Sequence, residues 1–201
     1  MFRIILITAC IALAFFLYNA YGYRYYLSDI RAEADNAMSF GDTIDADIRI
    51  IAYMDYGAPS SRRLYPLLLN LVAADDDVKV TIRPVSSGDT FSDLVTRVAI
   101  AAKNQGRFMD FNNVILSRSS DLDENFIEGA VMSLNMDYDQ VKFDMISTDI
   151  EQEVQKYQRE MALLNIPSLP YFYIEHVKME GAAYTVKELR QIISDLRTGR
   201  R

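Results

Sequence analysis

The chain of 201 residues is 50% hydrophobic and 24% charged, which is typical of a globular protein rather than a disordered one. Its formal net charge of −7 argues against nucleic-acid binding, which requires a basic surface. One cysteine, Cys10, and one histidine, His176, exclude an intramolecular disulfide and disfavour most zinc sites. The acidic run at residues 75–77 is interpreted as a solvated turn. We therefore expect neither a metal ion nor a cofactor.

The chain begins with an uncharged stretch, residues 4–21, about as long as a helix needs to be to span a membrane. Arg3 precedes this stretch and favours an N-terminus on the cytoplasmic side. We predict that residues 1–23 form an uncleaved membrane anchor. Two alternatives remain open. The first is cleavage of a signal segment at the small-x-small sequence of residues 20–22, and the second is lipidation at Cys10.

Residues 24–46 mix charged residues with few large apolar ones, and we predict that they form a stalk. The folded domain is then expected to occupy residues 47–201. It opens with an apolar strand at residues 48–54, a helix, and an alternating strand at residues 78–84. A strand, a helix and a strand at this spacing predict a parallel βαβ unit.

A helical section follows at about residues 88–165, and the chain then returns to strands at residues 171–174 and 177–179. A final amphipathic helix ends the domain. Pairs typical of helix capping precede three of the predicted helices: Asp121 with Glu124, Thr148 with Glu151, and Thr185 with Glu188.

The turn between the first strand of the domain and its helix carries the most specific sequence, Asp55-Tyr56-Gly57-Ala58-Pro59-Ser60-Ser61. Three motifs and one proline follow it: Pro66 within the helix, Ala-Ala-Lys-Asn-Gln-Gly-Arg-Phe at residues 101–108, Ile-Pro-Ser-Leu-Pro-Tyr-Phe at residues 166–172, and Gly181-Ala182. In this order and spacing they resemble the DsbA family of thioredoxin-fold thiol oxidoreductases, over about residues 45–197. The resemblance implies an α/β, thioredoxin-like fold with an inserted helical subdomain.

In that family the turn carries two cysteines, and Ala58 and Ser61 stand at their positions here. Disulfide exchange needs a thiolate nucleophile and a resolving thiol, and neither alanine nor serine supplies one. Thiol–disulfide chemistry at this turn is therefore excluded. The resemblance also implies that Pro170 follows a cis peptide bond opposite the turn.

The first functional hypothesis is a non-catalytic module that binds a protein or peptide at the periplasmic face of the bacterial inner membrane. Members of the family bind extended polypeptide beside the cis proline, a mode that needs no cysteine. The resemblance thus implies a binding site at Pro170, with apolar contacts from Tyr56, Leu169 and Tyr171. Alternatively, the two tyrosines belong to the hydrophobic core, as aromatic residues on strands often do.

The second hypothesis is a glutathione-dependent transferase or isomerase. The kappa-type glutathione transferases resemble this chain but use a serine in an Asp-x-x-Ser-Pro turn, where Ala58 stands here. The nearby hydroxyls of Ser60 and Ser61, together with a helix N-terminus, could lower the pKa of a bound thiol. A more ordinary role for either serine is to cap the helix.

Overall fold

A computed structural model describes residues 2–17, 23–32, 36–41, 46–118 and 121–199. Its helices and strands are, in chain order, α1 (Phe2–Leu17), α2 (Tyr23–Ala32), a 3-10 turn (Asn36–Met38), β1 (Ser39–Phe40), β2 (Ile48–Met54), α3 (Pro59–Ala73), β3 (Val78–Pro84), α4 (Thr90–Asn104), α5 (Phe108–Leu116), α6 (Glu124–Ser133), α7 (Tyr138–Met145), α8 (Thr148–Leu163), β4 (Tyr171–Ile174), β5 (Val177–Glu180) and α9 (Val186–Arg197).

The five described strands form one sheet in the order β1-β3-β2-β4-β5. β2 and β3 are parallel and are joined through α3, so the predicted βαβ unit is confirmed. β4 pairs antiparallel with the other side of β2, so that Ile50 lies between Val80 and Ile174. β2 and β3 are buried along almost their whole length because both lie inside the sheet and α3, α4 and α8 pack against β3. β2 is mostly apolar, whereas β3 alternates, with Lys79, Thr81 and Arg83 on one face. The thioredoxin-like fold is therefore as expected.

Helices α4 to α8 form the predicted insertion between β3 and β4. Within it, α4 packs against α5, α7 and α8, and α4 and α8 also contact β3. The buried side chains of α4 are small or β-branched: Ser92, Val95, Thr96, Val98, Ala99, Ile100, Ala101 and Ala102. The insertion is thus packed on the sheet and continues the core of the domain.

The segment at residues 24–46 differs from the predicted stalk. Leu27 and Met38 are completely buried, and Ser39–Phe40 pairs antiparallel with β3 at the edge of the sheet. Gly41 ends this strand at φ +106°, where an added Cβ would lie only 2.3 Å from the carbonyl oxygen of Val78. The described part of the segment therefore belongs to the folded domain, whose first residues lie before Asp47.

The predicted anchor at residues 1–23 is described only in part. α1 has 16 residues, and residues 18–22 lie outside the described part of the chain. Among the described helices, none combines the length and the hydropathy that crossing a membrane requires.

Candidate functional site

The turn between β2 and α3 forms one side of the candidate site. It is closed by a 3.1 Å hydrogen bond from the amide of Ala58 to the carbonyl oxygen of Asp55. Ala58 is the N-cap residue of α3 and Pro59 is the first helical residue, so no side chain caps this helix. The predicted capping role of Ser60 or Ser61 is wrong, because the helix begins before both serines.

Asp55 connects the turn to the beginning of α4. The residue is only 2% exposed, and its Oδ1 accepts hydrogen bonds from the amide of Gly57 (2.8 Å) and the hydroxyl of Ser92 (2.6 Å). Ser92 lies in the first turn of α4 and is completely buried. The acid at the end of β2 is thus held in place by two donors from different elements.

Arg62 supports the same turn from inside. Its guanidinium donates to the carbonyl oxygens of Tyr56 (3.4 Å) and Gly57 (3.3 Å), and the residue is only 8% exposed. A positive charge therefore lies behind the backbone of the turn, next to the N-terminus of α3.

The loop before β4 forms the opposite side of the site. The peptide bond between Leu169 and Pro170 is cis, which confirms the prediction made for Pro170. The hydroxyl of Ser60 reaches across from α3 to the carbonyl oxygen of Leu169, at 3.5 Å. The carbonyl oxygen of Pro170 accepts a 2.9 Å hydrogen bond from the amide of Gly181. The degenerate turn and the cis-proline loop therefore face one another, as the resemblance implied.

A cleft of about 370 Å³ lies at the junction of these segments. Its lining combines five apolar residues with three serines and one acid: Ala58, Met161, Ile166, Pro167, Leu169, Ser86, Ser87, Ser168 and Asp55. A larger, charged cleft of about 600 Å³ lies beside α8 and contains no residue of the turn. Of these two clefts, only the smaller one is lined by residues of the turn between β2 and α3, and we take it as the candidate site.

Only one of the three predicted apolar contacts reaches this cleft. Leu169 lines it, whereas Tyr56 is completely buried and Tyr171 is only 6% exposed. The phenol of Tyr56 donates a hydrogen bond to the side-chain oxygen of Asn112, and burial raises the pKa of that phenol well above its usual value. Tyr171 packs against the ring of Tyr173, with 5.3 Å between the ring centroids. The two tyrosines therefore belong to the core, and their prediction as binding residues is wrong.

The two serines of the turn differ in accessibility. Ser60 is half-buried at the surface of the site, but Ser61 is completely buried and its hydroxyl has no hydrogen-bond partner among the described residues. Ser61 occupies the position of the second cysteine of the resembled motif, where a thiol would need no partner because it is only weakly polar. This buried position therefore suits a weakly polar thiol better than a hydroxyl group.

Several lining residues were not predicted from the sequence. Ser86 and Ser87 lie two and three residues after the end of β3, and Met161 lies on α8. The carboxyl ends of adjacent parallel strands meet at one edge of a sheet, so residues after β3 fall beside those after β2. That relationship could have indicated the two serines. The position of Met161 depends on how the inserted helices pack, which no local pattern shows.

The described residues contain no group of three or more histidine, cysteine, aspartate or glutamate side chains that could hold a metal ion.

Comparison with known proteins agrees with this geometry. A family model described as thioredoxin matches residues 33–195. No curated protein sequence matches the chain significantly.

Solved structures resemble the domain closely at low sequence identity. A thioredoxin-like oxidoreductase from Silicibacter pomeroyi DSS-3 has a TM-score of 0.74 and 22% identity, over 82% of this chain and 94% of that one. The thiol-disulfide exchange protein alpha-DsbA2 from Wolbachia pipientis has a TM-score of 0.74 and 17% identity, over 87% and 95%. A periplasmic thioredoxin-like protein from Salmonella enterica serovar Typhimurium has a TM-score of 0.71 and 16% identity, over 83% and 94%. These likenesses concern the fold.

Proposed function

The chain belongs to the thioredoxin family, and we propose that it is a redox-inactive member that binds an extended polypeptide segment without catalysis. One observation supports this proposal most directly: the elements of the site are present although its two thiols are absent. The turn at Ala58, the cis bond before Pro170 and a cleft between them are all present, while neither cysteine of the motif is.

The lining of the cleft supports binding of a peptide. Met161, Ile166 and Leu169 offer apolar contact for a side chain, and serine hydroxyls nearby offer hydrogen bonds to a backbone. An extended segment can add its backbone to an exposed loop or strand edge, a mode that needs no catalytic group. The loss of both thiols thus removes the chemistry but leaves the recognition surface.

We also propose that the domain acts in the cell envelope, held there by the segment at residues 1–23. The uncharged stretch at residues 4–21 supports this placement, and a similar structure is described as a periplasmic protein. Fusion of a topology reporter to the C-terminus of the full chain tests the placement. Alkaline phosphatase activity of the fusion is expected, whereas a fusion active only as a cytoplasmic reporter would contradict it.

An insulin assay tests the binding function with the full-length chain in dilute detergent. In the presence of dithiothreitol, the chain is expected to delay the aggregation of insulin chains and not to accelerate their reduction. Met161→Glu places a charge in the cleft and should abolish the delay. Met132→Glu is the matched control, because Met132 is 55% exposed on α6 and does not line the cleft. Faster reduction of insulin, or no delay by the unaltered chain, would overturn the proposal.

A glutathione-dependent activity is the second candidate, and the uncapped start of α3 favours it. The first turn of a helix without a side-chain cap leaves amide groups that stabilise a nearby thiolate. Ser60 is the only turn serine that such a ligand could contact, because Ser61 is completely buried. Calorimetry with glutathione tests this candidate. Saturable binding that is lost in Ser60→Ala would support it, and no heat of binding would exclude it.

A further inference from the structure

Within the described part of the chain, only one of the two carboxylate oxygens of Asp55 accepts hydrogen bonds. Both of its hydrogen bonds, from Gly57 and Ser92, are accepted by Oδ1, and no described residue binds Oδ2. Asp55 is only 2% exposed, yet it lines the cleft beside Ala58 and Leu169. A buried ionised oxygen gains much from a charged donor, because the surrounding protein screens it less than water does.

Two of the three serines of the cleft also present acceptors, whereas the oxygen of Ser86 accepts from the amide of Gly88 at 3.0 Å and its own proton can donate. The hydroxyl of Ser87 donates to Asp89 at 2.9 Å, and the hydroxyl of Ser168 donates to Glu180 at 2.7 Å. With their protons directed to these carboxylates, the two serine oxygens offer lone pairs to an occupant. Among the described residues that line the cleft there is no lysine, arginine or histidine, and the guanidinium of Arg62 lies behind the turn, bound to the carbonyl oxygens of Tyr56 and Gly57. The cleft therefore favours an occupant that supplies hydrogen-bond donors and positive charge.

We propose that the polypeptide bound in this cleft carries a lysine or arginine side chain that binds Oδ2 of Asp55. A neighbouring apolar side chain of the same segment packs against Met161, Ile166 and Leu169. This inference rests on the proposed binding function and specifies which polypeptide segments the cleft selects. Ammonium and guanidinium groups offer only donors, which matches the acceptor oxygens of Asp55, Ser87 and Ser168.

Electrostatic repulsion disfavours the binding of an acidic polypeptide segment near Asp55. An acidic segment would place its carboxylate near Asp55, Asp89 and Glu180, and the whole chain carries a net charge of −7. Like charges brought together at an interface reject the wrong partner even where shape and apolar contact are equal. The preference for basic segments therefore concerns the end of the cleft at Asp55, whereas the uncapped N-terminus of α3 and the guanidinium of Arg62 behind it favour an anion at Ala58.

Fluorescence anisotropy with three labelled decapeptides tests the inference on the full-length chain in dilute detergent. The peptides are acetylated and amidated, share two central leucines in a background of alanine and serine, and carry lysine, norleucine or glutamate at one central position. The lysine peptide is expected to bind about tenfold more tightly than the norleucine peptide, as one charge-assisted hydrogen bond would give. The glutamate peptide should bind most weakly.

A pair of isosteric variants assigns the preference to Asp55. Asp55→Asn keeps an acceptor for Gly57 and Ser92 but removes the charge, and it should make the lysine and norleucine peptides bind equally. Asp139→Asn changes the net charge of the chain by the same amount at an exposed position of α7 outside the cleft, and it should keep most of the preference. An equal loss of preference in both variants would overturn the role of Asp55.

The outcomes separate the two proposals. If none of the three peptides binds, the peptide-binding function fails, and the selectivity with it. If the lysine and norleucine peptides bind the unaltered chain with equal affinity, the binding function stands and the role of Asp55 is overturned. This comparison uses the unaltered chain and so does not depend on the folding of any variant.

Discussion

The guanidinium of Arg83 on β3 lies 3.4 Å from the carboxylate of Glu160 on α8, and both side chains are almost completely buried. The phenol of Tyr53 on β2 donates a 2.9 Å hydrogen bond to the same carboxylate. Burial, together with the charge of Glu160, raises the pKa of Tyr53 well above its usual value, so this phenol remains a donor. Glu160 thus fixes α8 to two central strands, and the next residue, Met161, lines the cleft.

Removing one member of this buried pair should destabilise the domain strongly. Glu160→Leu leaves the charge of Arg83 buried without its carboxylate, and we expect a loss of about 3 kcal/mol in the free energy of unfolding. Urea unfolding followed by circular dichroism measures it. The double variant Arg83→Met with Glu160→Leu should recover most of the loss, because an apolar pair of similar volume replaces the buried charges. A single variant as stable as the double one would contradict this account.

The buried hydroxyl of Ser61 should cost stability. Its oxygen is completely buried without a partner among the described residues, so it has lost its hydrogen bonds to water without replacement. Ser61→Ala is therefore expected to raise the free energy of unfolding by about 1 kcal/mol. Ser60→Ala is the control, since it removes a half-buried hydroxyl that donates to Leu169, and it should not stabilise. A destabilising Ser61→Ala would show that the hydroxyl has a partner.

The sequence predicted the elements of the sheet well because their patterns are strong. β2 and β3 carry continuous or alternating apolar runs bounded by polar turns, and the structure places them as expected. The capping pair at Thr185 and Glu188 is confirmed. The two earlier pairs are wrong, because Asp123 and Ser147 are the capping residues in place of Asp121 and Thr148. Where several polar residues follow one another, any of them could cap the helix, and its first residue then depends on tertiary packing.

The site was predicted in outline but not in detail. The cis bond before Pro170 and the place of Leu169 follow from one motif. Tyr56 was misplaced because its partner, Asn112, lies on α5, and the motif says nothing about that helix. The stalk was misread for a similar reason. A strand of two residues such as Ser39–Phe40 has no periodicity to detect, and its pairing with β3 depends on the complete sheet.

The C-terminal helix is linked to the sheet by ion pairs that should make stability depend on pH. Arg197 on α9 binds Asp47 before β2 and Asp75 before β3, with contacts between 2.7 and 3.0 Å. The hydrogen bonds from Arg197 lower the pKa of Asp75 in the folded chain. The contribution of ionised Asp75 to the free energy of unfolding is therefore complete above the pKa that this carboxyl has in the unfolded chain, near 3.9. It is lost as the pH falls through the lower pKa that Asp75 has in the folded chain.

Arg197→Met measures this contribution. The variant should lose about 1 kcal/mol of stability at pH 7, since Asp47 and Arg197 are partly exposed and such pairs are weak. The difference from the unaltered chain should disappear as unfolding is measured at successively lower pH below about 4. Arg107→Met is the control, because Arg107 forms an exposed pair with Asp110 within one helical turn and should have a smaller effect. A difference that persisted at pH 2 would mean that packing of Arg197, and not its charge, stabilises the domain.

Restoring the two cysteines tests whether the turn keeps the geometry of a thiol site. Residues 58 and 61 are three apart at the first turn of α3, where side chains are neighbours and a disulfide can close. In a Cys10→Ser background, the double variant Ala58→Cys with Ser61→Cys is expected to form an intramolecular disulfide in air. Titration of free thiols before and after reduction measures it. Two free thiols after oxidation would show that the turn no longer holds these positions in the required geometry.

The single cysteine variants distinguish the two positions chemically. A thiol at position 58 lies at the uncapped N-terminus of α3, near the buried guanidinium of Arg62, and both favour the thiolate. Its pKa should therefore fall below the ordinary value of about 8.5, as the pH dependence of its reaction with iodoacetamide would show. A thiol at position 61 takes the place of a completely buried side chain and should react slowly at every pH. Equal reaction rates for Ala58→Cys and Ser61→Cys would contradict the asymmetry that burial and the helix end create.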